Sequence, residues 1–346
     1  MGRTTELHDF DPNKPVRRNK MILNVIITIF SLIMFVSLLF AKFSLWWHAV
    51  IAWIGFFGLV VFFISAWKYA MWWKASLVWD DYDYQHIIKT DFPFTAQSTD
   101  RGHYAYVYTR DDVDIDEEDA KFPAIISFHG WGSHHREMDR YALPSVREGG
   151  YVYFTYDAQG QGQTPGDLNN LEQFDEATDF INLVKEQPYV DKSRICVMGM
   201  SMGGAKAAVC AYPDPDVKLV MMFATPFDYT MSVEKMGIVG KIGYTLTKYR
   251  LNHPKDVLEK YSGINYFKPK GLILTGDNEP TPNSDRVFIA ANEDDGLVDV
   301  KNAKEAIRLL GLPEENYRIF KSGKHYNEGT EWPLAVAIYK FINEKL

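Results

Sequence analysis

Ser201 stands between glycines in Gly199-Met200-Ser201-Met202-Gly203, after the apolar run "SRICVM" and before the small residues of "GGAKAAVC". A serine hydroxyl is a poor nucleophile by itself. At the tip of a sharp strand-to-helix turn, where small residues let the helix pack closely, it becomes a candidate for acyl transfer. Such a nucleophile needs a base, an orienting carboxylate and an oxyanion hole. The bland alternative is a glycine-rich loop, and the rest of the chain must decide between them.

Each partner has a candidate. For the base, "RIFKSGKHYNE" supplies His325, just past the final strand-like run and before the terminal helical stretch. The chain has 9 histidines, so it is this position that counts. His134 and His135 precede the nucleophile and read as loop residues. For the carboxylate, "VFIAANEDDGLVDV" offers Asp294 and Asp295, with Asp295 in the spacing D-x-x-V to Val298. Glu279, after "LILTGDNE", and Asp228, after "MMFATPFD", are the alternatives. For the oxyanion hole, "SFHGWG" ends a strand and places glycines around Trp131. The amides of Trp131 and Met202 are the expected donors, with Gly130 as the alternative to Trp131, and His129 shapes the loop.

Positioning these groups requires a layered scaffold. "YAYVYT", "FPAIISF", "YVYFTY", "SRICVMGM", "VKLVMMF", "DRVFIAAN" and "NYRIF" are short runs, most of them nearly continuously apolar, as strands buried on both faces of a sheet are. Helical stretches fall between several of them, at residues 171–186, 203–212, 300–310 and 332–346. The alternation predicts an α/β class, a doubly wound, mostly parallel sheet, with function at the carboxyl ends of the strands. "GLILTG" is a possible further strand, and the acidic run "DDVDIDEEDA" reads as a solvated hairpin loop. Residues 230–267 lack a strand and read as a helical cap inserted over the strand ends, with helices packed on the core edge as the alternative.

The first part of the chain reads differently. Met21 to Ala41 carries no charge, and from Phe43 to Trp67 the sole titratable residue is His48. Each run approaches the ~20 residues that cross a bilayer as a helix, and tryptophans flank the second. The expected organisation is a basic tail (1–20), a transmembrane helical hairpin (21–74) and a catalytic domain (80–346). Arg3, Lys14, Arg17, Arg18 and Lys20 before the first span, with Lys68 and Lys74 after the second, predict that both the N-terminus and the large domain face the cytoplasm. A formal charge of −8 argues against a nucleic-acid partner. The 2 cysteines, Cys196 and Cys210, read as reduced core residues, and no Cys/His cluster has metal spacing.

The order HGWG, YDAQGQG, GMSMGG, EDDGLV, GKH resembles the α/β-hydrolase superfamily. It is similar to the branch with dienelactone-hydrolase-like, acylglycerol-lipase-like and prolyl-oligopeptidase-like catalytic domains. The likeness covers roughly residues 95–346. It implies Ser201 as nucleophile, Asp295 as acid and His325 as base, with no cofactor or metal. Two positions depart from the family's pattern: Gln159, where an arginine is frequent, and Asn292, where glycine often precedes the acid. The expected activity is hydrolysis of a small-molecule carboxylic ester, with lipid-derived acyl esters among the candidates, by a membrane-anchored enzyme. A serine peptidase is the nearest rival, and a non-catalytic binding module of the same fold is the rival of another class.

Overall fold

The computed structural model describes residues 84–167, 170–234 and 255–346, with Val50, Trp53 and 55–59 in addition. The account below concerns the compact unit running from Asp83 to Leu346. Its strands are β1 (Ile87–Asp91), β2 (Phe94–Ala96), β3 (Arg101–His103), β4 (Ala105–Arg110), β5 (Phe122–Phe128), β6 (Val152–Tyr156), β7 (Val190–Met200), β8 (Leu219–Phe223), β9 (Val287–Asn292) and β10 (Tyr317–Phe320). Its helices are α1 (Asp139–Gly149), α2 (Gln173–Lys185), α3 (Met202–Lys206), α4 (Tyr229–Glu234), α5 (Lys255–Lys260), α6 (Lys301–Leu310) and α7 (Glu331–Lys345).

Eight of the strands form one sheet in the order β1-β4-β6-β5-β7-β8-β9-β10. From β6 to β10 every pairing is parallel, while β1 and β4 run antiparallel at the edge. β6, β8 and β9 are buried at every position, which explains their unbroken apolar runs. Successive side chains serve opposite faces. Val220, Met222 and Ile289 meet Phe180 and Ile181 of α2, Ala207 and Ala211 beyond Ser201, and Ala306 of α6. On the other face Phe223 packs on Tyr141 of α1, and Phe288 on Phe341 of α7.

Three expectations change. The acidic stretch after β4 is not a hairpin, because β4 pairs with β6 and the chain must cross that strand to enter β5. "GLILTG" is no sheet strand either; it makes a single bridge, Leu272 to Thr281. Helix α1, β1 and the β2–β3 hairpin were not foreseen, because β2 and β3 are short and α1 contains Pro144. Of the expected cap, α4 and α5 are described, and Tyr229 and Tyr261 pack with Phe174 and Ala205. Residues 235–254 lie outside the described residues. So does nearly all of the expected transmembrane hairpin; among the described residues no helix is long and apolar enough to cross a membrane. Cys196 and Cys210 are free thiols.

Candidate active site

Ser201 occupies the turn between the end of β7 and the start of α3, with φ 55 and ψ −118. A positive φ is strained for a residue with a side chain, and it persists where the surroundings fix it. Here the Ser201 amide donates to the Phe223 carbonyl at the end of β8 (2.8 Å), and its own carbonyl accepts from Ala205 (3.0 Å). The hydroxyl is not consumed as a helix cap and the residue is partly exposed. The glycines around it permit close approach. A Cβ at Gly203 would stand 2.0 Å from the Phe128 carbonyl oxygen, so α3 can lie against β5 only with no side chain there.

Asp295 and His325 meet across neighbouring strand ends. Parallel pairing of β9 and β10 brings the loops that follow them side by side. His325 Nδ1 lies 2.8 Å from Asp295 Oδ2, and both side chains are nearly buried. The other oxygen, Oδ1, accepts the amides of Leu297 (2.8 Å) and Val298 (2.9 Å), which fixes the carboxylate. That arrangement places the ring proton on Nδ1 and leaves Nε2 as the basic nitrogen. Among the described residues no hydrogen bond joins Ser201 to His325; in ligand-free sites this contact is commonly long.

The loop after β5 is clamped from three sides. The Gly130 amide donates to Glu137 Oε2, and the Gly132 amide to Gln161 Oε1 (2.6 Å), so the His129–Gly130 and Trp131–Gly132 peptides are fixed. The Gly130 amide is thereby committed to Glu137. His129 is buried; its Nδ1 donates to Gly130 O (2.8 Å) and its Nε2 accepts from Ala158 N (3.0 Å). Burial, and then the charge of Lys206, push its pKa down to about 4, so the ring is neutral and structural. Gly132, at φ 78, turns the chain back after Trp131.

Comparison with known proteins bears on the fold. Residues 120–260 match the family described as serine aminopeptidase, S33. A thiohydrolase, apmlB, of Arthrinium phaeospermum is 31% identical over 106 residues, covering 30% of this chain and 34% of that protein. An uncharacterized 31.7 kDa protein of Escherichia coli is 27% identical over 110 residues, covering 31% and 38%. The chain thus spans about a third of the length of the curated relatives it matches. Among solved structures, an acetyl xylan esterase from Paenibacillus sp. R4 superposes with TM-score 0.56 over 77% of this chain and 86% of that one, at 19% identity. An acylaminoacyl peptidase of Pyrococcus horikoshii gives TM-score 0.56 over 78% and 43%, at 16% identity. The fold is that of the α/β-hydrolase superfamily.

Within this α/β-hydrolase fold the competing carboxylates have other employment. Glu279 is exposed, in a segment whose Thr275 bonds Pro215 and Asp216 ahead of β8, at the amino end of that strand. Asp228 accepts the Thr230 and Met231 amides and caps α4. His134 and His135 are buried in the turn before α1; His135 Nδ1 meets Asp157 Oδ1 (2.9 Å) and its Nε2 meets Lys89 Nζ (3.2 Å).

Sequence reasoning missed the positioning residues. Asp157 takes the His135 amide and the Gln163 amide, tying the loop after β6 to the loop after β5. Asn292 donates to Lys324 O and to Asn327 Oδ1, each at 2.8 Å, and Asp294 accepts the Lys324 amide. Asn292, a departure from the family pattern, therefore ties the loop that bears Asp295 to the loop that bears His325. The one available signal was polar residues inside otherwise apolar runs, which marks a buried partner without saying which.

Proposed function

We propose that this chain is a serine hydrolase that cleaves carboxylic esters through an acyl-enzyme. The observation that carries the reading is the strained, uncapped Ser201 turn on the sheet whose neighbouring strand ends hold His325 and Asp295 2.8 Å apart. Ser201 Oγ attacks the carbonyl carbon while His325 Nε2 takes its proton, and Asp295 stabilises the imidazolium. The amides of Trp131 and Met202 receive the oxyanion. Collapse of the tetrahedral intermediate returns the proton to the leaving alcohol. Water, activated by the same imidazole, then attacks the acyl-Ser201 and releases the acid.

For the substrate, the apolar runs at 21–41 and 43–67 support an enzyme anchored in a membrane with this domain on the cytoplasmic side, where lipid-derived acyl esters partition. The partial match to a thiohydrolase adds thioesters, which follow the same chemistry with a better leaving group. A peptidase is the second reading, supported by the match to the serine aminopeptidase family over residues 120–260.

The test is a fluorophosphonate probe on the full chain in membranes, with the adduct located by mass spectrometry and Ser201→Ala alongside. Labelling at Ser201 that vanishes in the variant is the expected result. Folded protein that ignores the probe, with and without added lipid, overturns the reading in favour of a binding module. Hydrolysis of acyl esters and acyl thioesters faster than aminoacyl amides is expected; the reverse order favours the peptidase.

A further inference from the structure

Glu137 is a fully buried carboxylic acid beside the nucleophile that neither the triad nor the oxyanion donors use. It sits in the single 3-10 turn His135–Met138 that follows the loop after β5. Its Oε2 accepts the Gly130 amide, and its Oε1 is buried, with Ser133 nearby. Gly130 lies between this carboxyl and the nucleophile. The point where a Cβ on Gly130 would stand is 3.3 Å from Glu137 Oε2 and 3.3 Å from Ser201 Cβ.

We infer that Glu137 is a positioning residue of the proposed hydrolase, which anchors the His129–Gly130 peptide just ahead of the Trp131 oxyanion donor and does so as a neutral acid. The inference rests on the serine-hydrolase reading of the same site. The Gly130 N–H that Glu137 holds lies in the His129–Gly130 peptide, and Gly130 Cα joins that plane to the Gly130–Trp131 peptide. The carbonyl of the latter meets His129 Nδ1 at 2.8 Å, so Glu137 and His129 together orient the Trp131 amide. The groups facing Glu137 are Ser133 from its own loop, Arg140 and Tyr141 from α1, and His325 and Tyr326 from the loop after β10. Arg140 lies 3.6 Å from the Glu331 carboxylate, so its charge is shared with another acid. Burial then dominates and holds the Glu137 pKa up at about 7.

The protonation state matters because of what forms next door. A neutral carboxyl keeps the Gly130 amide in place and adds no charge. An ionised one would oppose the negative charge developing on the substrate oxygen. Ionising Glu137 therefore slows attack by Ser201.

The experiment measures rates of fluorophosphonate labelling and of p-nitrophenyl acetate hydrolysis from pH 5 to 9 for the wild-type full chain, E137Q and E137A. Glutamine keeps an acceptor for the Gly130 amide and cannot ionise. Wild type is expected to show a decline above neutral pH that E137Q lacks. E137A is expected to lose at least tenfold in kcat with little change in KM, and E137Q to restore most of that loss at pH 6. Should E137A not fold, the comparison of wild type with E137Q still decides. Superimposable pH profiles for those two, with wild type labelled at Ser201, overturn this inference alone. A wild type that is never labelled at Ser201 overturns the hydrolase reading and this inference with it.

Discussion

Replacing Gly203 by alanine tests whether the close contact between α3 and β5 sets the site. The added Cβ would stand 2.0 Å from Phe128 O, 2.5 Å from Phe128 C and 2.7 Å from His129 O. All three are backbone atoms at the root of the oxyanion loop, so no side chain can swing away. Real Cβ contacts essentially never fall below 3.0 Å, and relief therefore requires the start of α3 to withdraw from β5 by roughly 1 Å in a closely packed interior. Ser201 and the Met202 amide move with α3, while the Trp131 amide stays with β5. A misplacement of about 1 Å is worth roughly 100-fold in rate, and overpacking of this kind about 1–3 kcal/mol in stability. G203A is thus expected to fold, to melt several degrees lower, and to lose about 100-fold in kcat for p-nitrophenyl acetate and in the rate of fluorophosphonate labelling. The control is G296A, next to Asp295, where an added Cβ meets nothing within 4 Å. It should keep its rate within about twofold, as surface substitutions usually do. A G203A variant with wild-type rate and melting temperature would refute the steric argument, and equal losses in both variants would refute its attribution to α3.

Three further outcomes follow from the same geometry. Asp295→Asn keeps an oxygen for the Leu297 and Val298 amides but no longer holds the proton on His325 Nδ1, so kcat should fall by about 10,000-fold with KM little changed; steady-state kinetics checks it. Asn292→Ala takes a donor from the Lys324 carbonyl and from the buried Asn327 side chain, and should lower stability by about 1–3 kcal/mol and slow turnover together, read by melting and by kcat. Glu137 gives a pH dependence with a definite sign. Burial raises its pKa from the ordinary 4.5 to about 7, so its stabilising contribution is complete below 4.5 and is lost as pH rises through 7. The stability of wild type relative to E137Q should therefore fall by on the order of 3 kcal/mol between pH 4.5 and 8, measured by urea denaturation at each pH; a constant difference would show that Glu137 does not change its protonation on folding.

The parts of the scaffold readable in the sequence were those with strong local signals. β5, β8 and β9 lie inside unbroken apolar runs because helices cover both faces of the sheet, and α6 ends at its expected residue, Leu310, because Gly311 follows it in a left-handed conformation. The G-x-S-x-G turn is legible because its glycines are demanded by contact: at Gly199, Gly203 and Gly204 an added Cβ would meet backbone or Thr225. Edge structure was less legible. β1 alternates buried and half-buried positions and pairs with β4 alone, a weaker pattern than the central strands have. The choice among Asp295, Glu279 and Asp228 needed three dimensions, since each follows an apolar run and only the structure shows which one faces His325.

What the sequence could least convey is that each expected catalytic element is held by a side chain that does no chemistry. Glu137 and Gln161 take the amides flanking Trp131, Asn292 and Asp294 hold the backbone before His325, and Asp157 joins the two glycine-rich loops. This changes how the two departures from the family pattern should be weighed. Asn292 replaces a glycine with a donor that reaches the base's loop, so it adds a constraint. Gln159 replaces an arginine, yet its amide still donates to Glu176 Oε1 at 3.2 Å, and that same oxygen receives Arg101 at 3.2 Å and Thr99 at 2.9 Å. The fully buried Lys206 adds a second positive charge to the field around Glu176. The positive charge that an arginine would bring to this buried carboxylate is thus supplied from β3 and from α3. The loop bearing Gln159 and Gln161 can then keep its conformation, and with it the clamp on Gly132. Retention of the fixed loop, rather than of any one residue in it, is what oxyanion stabilisation requires, because preorganised donors act without reorganising at the moment of reaction.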